Sequence, residues 1–125
     1  MLSNSEPTAT IAVANLQASR KFYEEKIGLT PRGNPGRNKL AYRCGDGSLS
    51  VYKSRFAGSN KATAATWVLG DELGDTVRTL AGKGVVFGHY DLPDAVRSGD
   101  IHVFGSHRVA WFKDPDGNIH AFING

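Results

Sequence analysis

At 125 residues, with 40% hydrophobic side chains, the chain has the length and apolar content of one domain with its own core. Its longest apolar runs, such as Val85-Val86-Phe87 and Val109-Ala110-Trp111-Phe112, fall far short of the roughly 20 residues that cross a bilayer, which excludes a membrane-spanning helix. The net charge of +3 comes from Lys and Arg scattered among Asp and Glu, and the densest basic stretch, Arg32 to Arg43, reads as an exposed loop entering a strand, so a nucleic-acid partner is not expected.

Residues Met1 to Pro7 show neither the charged start nor the apolar stretch of a secretory signal, and Cys44, the single cysteine, has no partner for an internal disulfide. A reducing cytoplasm is the expected compartment. Thr8 to Val13 alternates small or polar residues with Ile11 and Val13, the period of a two-faced strand. Asn15 is placed to cap a helix running through Lys26, with Leu16, Ser19, Phe22, Tyr23 and Ile27 on one side and Gly28 as its stop. After the loop Arg32 to Lys39 come a strand over Leu40 to Arg43, a turn at Gly45-Asp46-Gly47 and a strand over Ser48 to Lys53.

Ser54 to Lys61 reads as a linker, after which the order begins again. Ala65 to Leu69 is a predicted strand and Glu72 to Ala81 a helix with Leu73, Val77 and Leu80 inward, stopped by Gly82 and Gly84. Val85 to Tyr90, Ile101 to Phe104, Arg108 to Phe112 and Ile119 to Ile123 are the later strands. Adding 57 maps Leu16 onto Leu73 and Tyr23 onto Leu80, while adding 70 maps Asp46-Gly47-Ser48-Leu49 onto Asp116-Gly117-Asn118-Ile119. The chain thus holds two like units, the second longer by about 13 residues. Each unit has one helix on one sheet face, so pairing them encloses the bare faces and leaves a cleft for a small organic molecule.

The segment Ile11-Ala12-Val13-Ala14-Asn15-Leu16-Gln17-Ala18-Ser19-Arg20-Lys21-Phe22-Tyr23, with Trp111-Phe112-Lys113-Asp114-Pro115-Asp116-Gly117-Asn118 at the far end, resembles the vicinal oxygen chelate superfamily. That superfamily includes glyoxalase I, bleomycin-resistance proteins, fosfomycin-resistance enzymes and extradiol dioxygenases, and the resemblance runs from about Thr8 to Ile123. It implies an α+β fold in which two tandem βαβββ modules form a cupped mixed sheet around a pocket. On this reading residues 1–125 are a single domain, with module one at about 8–55, a linker at 56–62 and module two at 63–124. The resemblance also implies a homodimer. Several chemistries share the scaffold, so fold alone does not fix the activity.

Chelating members of the superfamily take His, Glu or Gln ligands from the first and last strands of each module. The matching positions here are Thr8, Ala65, Val51 and Ala121. None offers imidazole or carboxylate, and a neutral Thr hydroxyl is a poor ligand for Zn, Ni, Fe or Mn, so no metal and no cofactor is expected. His120 precedes Ala121 and by alternation turns to the opposite face. His102 and His107 read as rim or loop histidines, and Cys44 as an ordinary thiol. Asp114-Pro115-Asp116-Gly117-Asn118 lacks the later glycine and glutamate of a calcium loop and reads as a tight turn, and Gly82-Lys83-Gly84 is a helix exit.

Trp67 shares parity with Ala65 and is expected to face the cavity together with Thr10, Val51, Ile119 and Ala121, with Thr8 nearby and Tyr52 and Phe56 at the mouth. No parity argument places Trp111. The expected function is metal-free binding of an amphipathic or aromatic ligand, as in sequestering resistance proteins. The competing readings are a metal-dependent lyase like glyoxalase I or a dioxygenase with displaced ligands, and metal-free acid–base catalysis by His102, His107 or Asp100.

Overall fold

The computed structural model describes residues 2–125. Strand β1 (Ala9–Val13) leads to α1 (Leu16–Arg20), whose first turn is capped by Asn15: its side-chain oxygen accepts from the Ala18 amide at 3.0 Å, satisfying one of the donors a helix start leaves free. The helix then widens over Lys21–Lys26, where the Ile27 amide reaches back five residues to the Phe22 carbonyl. This wide turn accompanies the burial of two consecutive aromatic residues, Phe22 and Tyr23. Gly28 ends it with a positive φ of 82°, a conformation that costs other residues a steric clash.

Strands β2 (Thr30–Pro31), β3 (Lys39–Cys44) and β4 (Gly47–Lys53) complete a four-stranded sheet in the order β1-β4-β3-β2, with β1 parallel to β4. The second half repeats the scheme. Strand β5 (Thr63–Val68) precedes α2 (Leu73–Gly82), and β6 (Phe87–Gly88), β7 (Val96–Ser98), β8 (Ile101–Phe104), β9 (His107–Lys113) and β10 (Ile119–Ile123) follow. Their order is β5-β10-β9-β8-β7 with β6 on β9, and β5 runs parallel to β10. Among the described residues no helix is long and apolar enough to cross a membrane.

The strand expected over Val85 to Tyr90 shrinks to Phe87–Gly88, because the chain leaves β9 there and the Tyr90 amide turns to the His102 ring. The additional residues of the second half supply β7, which forms a hairpin with β8 across Gly99 and Asp100; the sequence pattern had not shown this strand.

Each sheet has one face closed by helices. In the first, Ile11, Val13, Leu40, Tyr42, Leu49 and Val51 are buried with Phe22 and Tyr23; in the second, Ala110, Phe112 and Phe122 join Leu73, Val77, Leu80 and Phe87. The two layers share one core, since Phe22 stacks on Phe112 at 6.4 Å and Tyr23 meets the His120 ring edge-on. The opposite, helix-free face carries Thr10, Ser50 and Tyr52 in the first sheet and Thr66, Ala121 and Trp111 in the second, as strand pairing and alternation require.

This register corrects the expected internal alignment. The helix-packed residues of β10 are His120 and Phe122, so they match Leu49 and Val51 of β4 at an offset of 71 rather than 70. On β5, Ala65 and Trp67 match Ala9 and Ile11 at 56 rather than 57. In β10 a longer turn, Asp114 to Asn118 against Gly45-Asp46, absorbs the difference; for β5 the extra residue lies in its connection to α2, where the turn Gly70–Glu72 intervenes. A slip of one residue exchanges the faces of a strand.

Within the linker, Gly58 sits at φ 70° directly against the Asp116 backbone, and a Cβ there would fall on the Asp116 carbonyl. Gly58→Ala should therefore destabilise the fold by about 2 kcal/mol or more, combining left-handed strain with overlap. Gly82→Ala, at the open end of α2, should be neutral or stabilising by about 0.5 kcal/mol. Urea unfolding of both variants checks the contrast; equal effects would contradict the packing described.

Candidate functional site

The turn between β9 and β10 fastens the two halves together. Asp114 Oδ1 accepts from the Asp116 amide at 3.0 Å and the Asn118 amide at 2.8 Å, a local arrangement in which a short carboxylate replaces missing backbone partners. Its Oδ2 accepts from the Tyr23 hydroxyl at 2.7 Å and from Asn118 Nδ2 at 2.8 Å. Asn118 Nδ2 also donates to the Ala12 carbonyl, and Asp116 accepts from the Ala14 amide. A helix and a strand of the first half are thus bound to one turn of the second.

His120 lies 2.9 Å from the Tyr23 hydroxyl through Nε2. The hydroxyl proton is directed to the carboxylate, so Nε2 carries the ring hydrogen and donates to Tyr23, leaving Nδ1 as a buried acceptor without a partner. Burial pushes the His120 pKa down to about 4, with the Asp114 charge opposing it. Burial first, then the Asp114 charge and hydrogen bond, hold the Tyr23 hydroxyl well above its ordinary range. Both groups therefore stay neutral, and their place inside the shared core suits a structural role.

The helix-free face has a different chemistry. Trp111 pairs with Ala121 across the strands, donates its indole N–H to the Thr63 hydroxyl at 3.2 Å, and meets the rings of His102 at 4.9 Å and Tyr90 at 5.4 Å. The His102 Nε2 accepts from the Tyr90 amide at 2.9 Å, so its hydrogen resides on Nδ1, where it is buried and unpartnered. On the first sheet Ser50 is also buried with an unpartnered hydroxyl, between Thr10 and Ala41 in the register.

Of the residues expected to form the site, Thr10, Phe56 and Ile119 meet at a cleft of about 210 Å³ beneath the linker, together with Ala64 and Asn118. Tyr52 and Ala121 lie on the same helix-free face, the first exposed and the second buried. Thr8 precedes β1 and is exposed. Two placements are corrected. Val51 is fully buried on the helix-packed face, and Trp67 turns the same way, against Phe112, His120 and Phe122. One edge of Trp67 still lines a cleft of about 520 Å³ where the sheets diverge, near Cys44, Leu49 and Thr66. Burial pushes the Cys44 thiol up, opposed by a hydrogen bond from Trp67.

His102 is likewise not at the rim: it is fully buried, whereas His107 across the same hairpin is exposed. Trp111 and Tyr90 were missed as members of this face. The pairing of Trp111 with Ala121, once the turn length is known, is the signal that assigns Trp111.

The corrected register also retests the chelating positions. Ser50 and Tyr52, rather than Val51, and Ala64 and Thr66, rather than Ala65, share the helix-free side with Thr10 and Ala121. Hydroxyls and methyls remain the only groups offered, and among the described residues no three His, Cys, Asp or Glu side chains gather in a metal-sized cluster. This donor set does not fit a divalent transition metal.

The family model described as Glyoxalase/Bleomycin resistance protein/Dioxygenase superfamily matches residues 7–122. Among solved structures, the chain is similar to the glyoxalase family protein from Enterococcus faecalis, at 19% identity and a TM-score of 0.71, covering 98% of this chain and 99% of that one. It is similar to the fosfomycin resistance protein FosX from Mesorhizobium Loti at 11% identity and a TM-score of 0.70, covering 100% and 94%. A glyoxalase/bleomycin resistance protein/dioxygenase from Alicyclobacillus acidocaldarius gives 17% and 0.69, covering 96% and 90%. At these identities the likeness bears on the fold. No curated protein matches the chain.

The buried clasp has a pH signature. An unfolded His120 takes up a proton near pH 6.5, whereas the folded one resists until about pH 4. The unfolded state binds more protons in that interval, so stability falls as the pH drops through it, by about 3 kcal/mol in total. His120→Gln, which keeps an N–H for Tyr23, should flatten this part of the profile, and Tyr23→Phe should cost about 1–2 kcal/mol at pH 7. Urea midpoints between pH 4 and 8 measure both; a His120→Gln profile parallel to that of the parent protein would refute the assignment.

Proposed function

Because the chain belongs to the glyoxalase/bleomycin resistance protein/dioxygenase superfamily, we propose that it is a cytoplasmic small-molecule-binding protein that holds an aromatic or amphipathic ligand without a metal. The ligand lies on the helix-free face. The observation that carries this reading is the pairing of Trp111 with Ala121 on that face: an indole wall beside a residue with no donor atom, at the position where chelating relatives would need a ligand. Trp111 and Tyr90, backed by the buried His102 ring, supply stacking area, and Thr10 and Thr66 supply exposed hydroxyls that orient a bound molecule. A metal-dependent lyase or dioxygenase would need imidazole or carboxylate at these places.

The protein acts as a homodimer in this reading. Strand β2 is only two residues long, and β7 leaves one edge unpaired with Val96 exposed beside it, so a second copy has strand edges to cover. Light scattering should return twice the 13.5 kDa mass of the chain, and a monomer at high micromolar concentration would contradict the pairing.

Two measurements on purified protein test the binding reading. Elemental analysis should find Ni, Zn, Mn and Fe far below one ion per chain, and a stoichiometric ion would overturn it. The uncharged fluorescent probe N-phenyl-1-naphthylamine should bind with enhanced, blue-shifted emission, and Trp111→Ala should weaken binding by about tenfold, the scale of a lost aromatic contact. Unchanged affinity in Trp111→Ala would place the probe elsewhere.

A further inference from the structure

The insertion that lengthens the second half builds a separate cleft of about 300 Å³, lined by Tyr90, Leu92, Ala95, Arg97 and His102, with His89 and Asp91 beside them. Arg97 faces His102 across the β7–β8 pair, and His102 faces Val109, so the cleft opens onto the helix-free face and adjoins Trp111. It has no counterpart in the first half.

Its hydrogen bonds fix what it offers. Arg97 Nη1 donates to His89 Nδ1 at 2.6 Å and to the Gly99 carbonyl at 3.3 Å, and the remaining His89 hydrogen, on Nε2, points to Asp100 Oδ1 at 2.6 Å. Asp100 is therefore answered by His89, and the Arg97 guanidinium is braced through one nitrogen with its other N–H groups free. Among the described residues no carboxylate lies within ion-pair distance of Arg97. The Nδ1–H of His102, fully buried at the cleft wall, has no acceptor. Two unanswered donors, one of them cationic, thus stand next to the rings of Tyr90 and Trp111.

The charge pattern of the sheets agrees. Among the described residues no Asp or Glu occurs in a strand, and four of the six strand Lys and Arg residues, Lys39, Arg43, Arg97 and Lys113, fall on the helix-free face by register, with Lys53 and Arg108 on the other. The one carboxylate lining the cleft, Asp91, lies in the loop beyond Tyr90.

We propose that this cleft receives the carboxylate of an aromatic acid, held by the Arg97 fork beside His102, while the aromatic part lies against Trp111. The planar guanidinium matches a carboxylate in two parallel hydrogen bonds, which a neutral amide of the same shape does not reproduce. The proposal rests on the helix-free face being the ligand surface and adds the charge of the ligand to it.

Calorimetric titration of the intact protein at pH 7 with 1-naphthoate and with its uncharged isostere 1-naphthamide separates the two claims. The acid should bind at least about tenfold more tightly than the amide. Arg97→Met, at an exposed position, should abolish that difference by weakening the acid far more than the amide, and Asp91→Asn should widen it by removing a like charge. Equal affinities for acid and amide, or an equal loss of both probes in Arg97→Met, would overturn the carboxylate assignment and leave the aromatic reading standing. Failure of both probes to bind at millimolar concentration would overturn the aromatic reading and this proposal with it.

Discussion

The Asp114 carboxylate is the interaction on which the rest of the molecule depends. Four donors converge on it: two backbone amides of its own turn, the Asn118 side chain and the hydroxyl of Tyr23 from the other half. Charge-assisted hydrogen bonds of this kind are the strong ones, and inside a shared core they cannot be exchanged for water without leaving a buried charge unanswered. Because Asn118 and Asp116 also bind the backbone of Ala12 and Ala14, the same turn sets where β1 lies relative to the second sheet. The helix-packed faces are thereby closed against each other, and the opposite faces are left free.

Alternation along the strands then divides the chemistry. Aromatic and aliphatic bulk, with the neutral Tyr23–His120 pair among it, is spent on the closed side, where it stabilises the fold. The free side keeps hydroxyls, small residues, cations and the Trp111–His102–Tyr90 group, and no strand contributes a carboxylate. Among the described residues, two of the three buried polar side-chain atoms without partners, in Ser50 and His102, belong to this side. Unanswered polar groups beside an aromatic wall are what a binding surface retains and a pure packing surface eliminates.

The duplication, both helices and most strands were legible because their signals are local: the Asn15 cap, the Gly28 stop, the inward Leu73, Val77 and Leu80. What failed was parity. Counting from helix starts and glycine turns puts Trp67 and Val51 on the cavity side, yet the extra residue between β5 and α2 shifts the count for Trp67 and the longer Asp114–Asn118 turn shifts it for Val51, and one residue reverses a face. Strand β7 and its cleft were also hidden, since a three-residue exposed strand has no hydrophobic period to show. His102 looked like a rim residue because its burial comes from Trp111 and Tyr90, which are distant or irregular in sequence.

The chain's two tryptophans stand on opposite faces, which makes their indole N–H groups natural reporters of where a ligand binds. Nitrogen–proton correlation spectra, assigned with single Trp→Phe variants and recorded during titration with 1-naphthamide, read them separately. A ligand on the helix-free face moves the Trp111 resonance with saturation while that of Trp67 holds still. A shift confined to Trp67 would mean that the ligand enters through the seam between the sheets, and the helix-free face would lose its role.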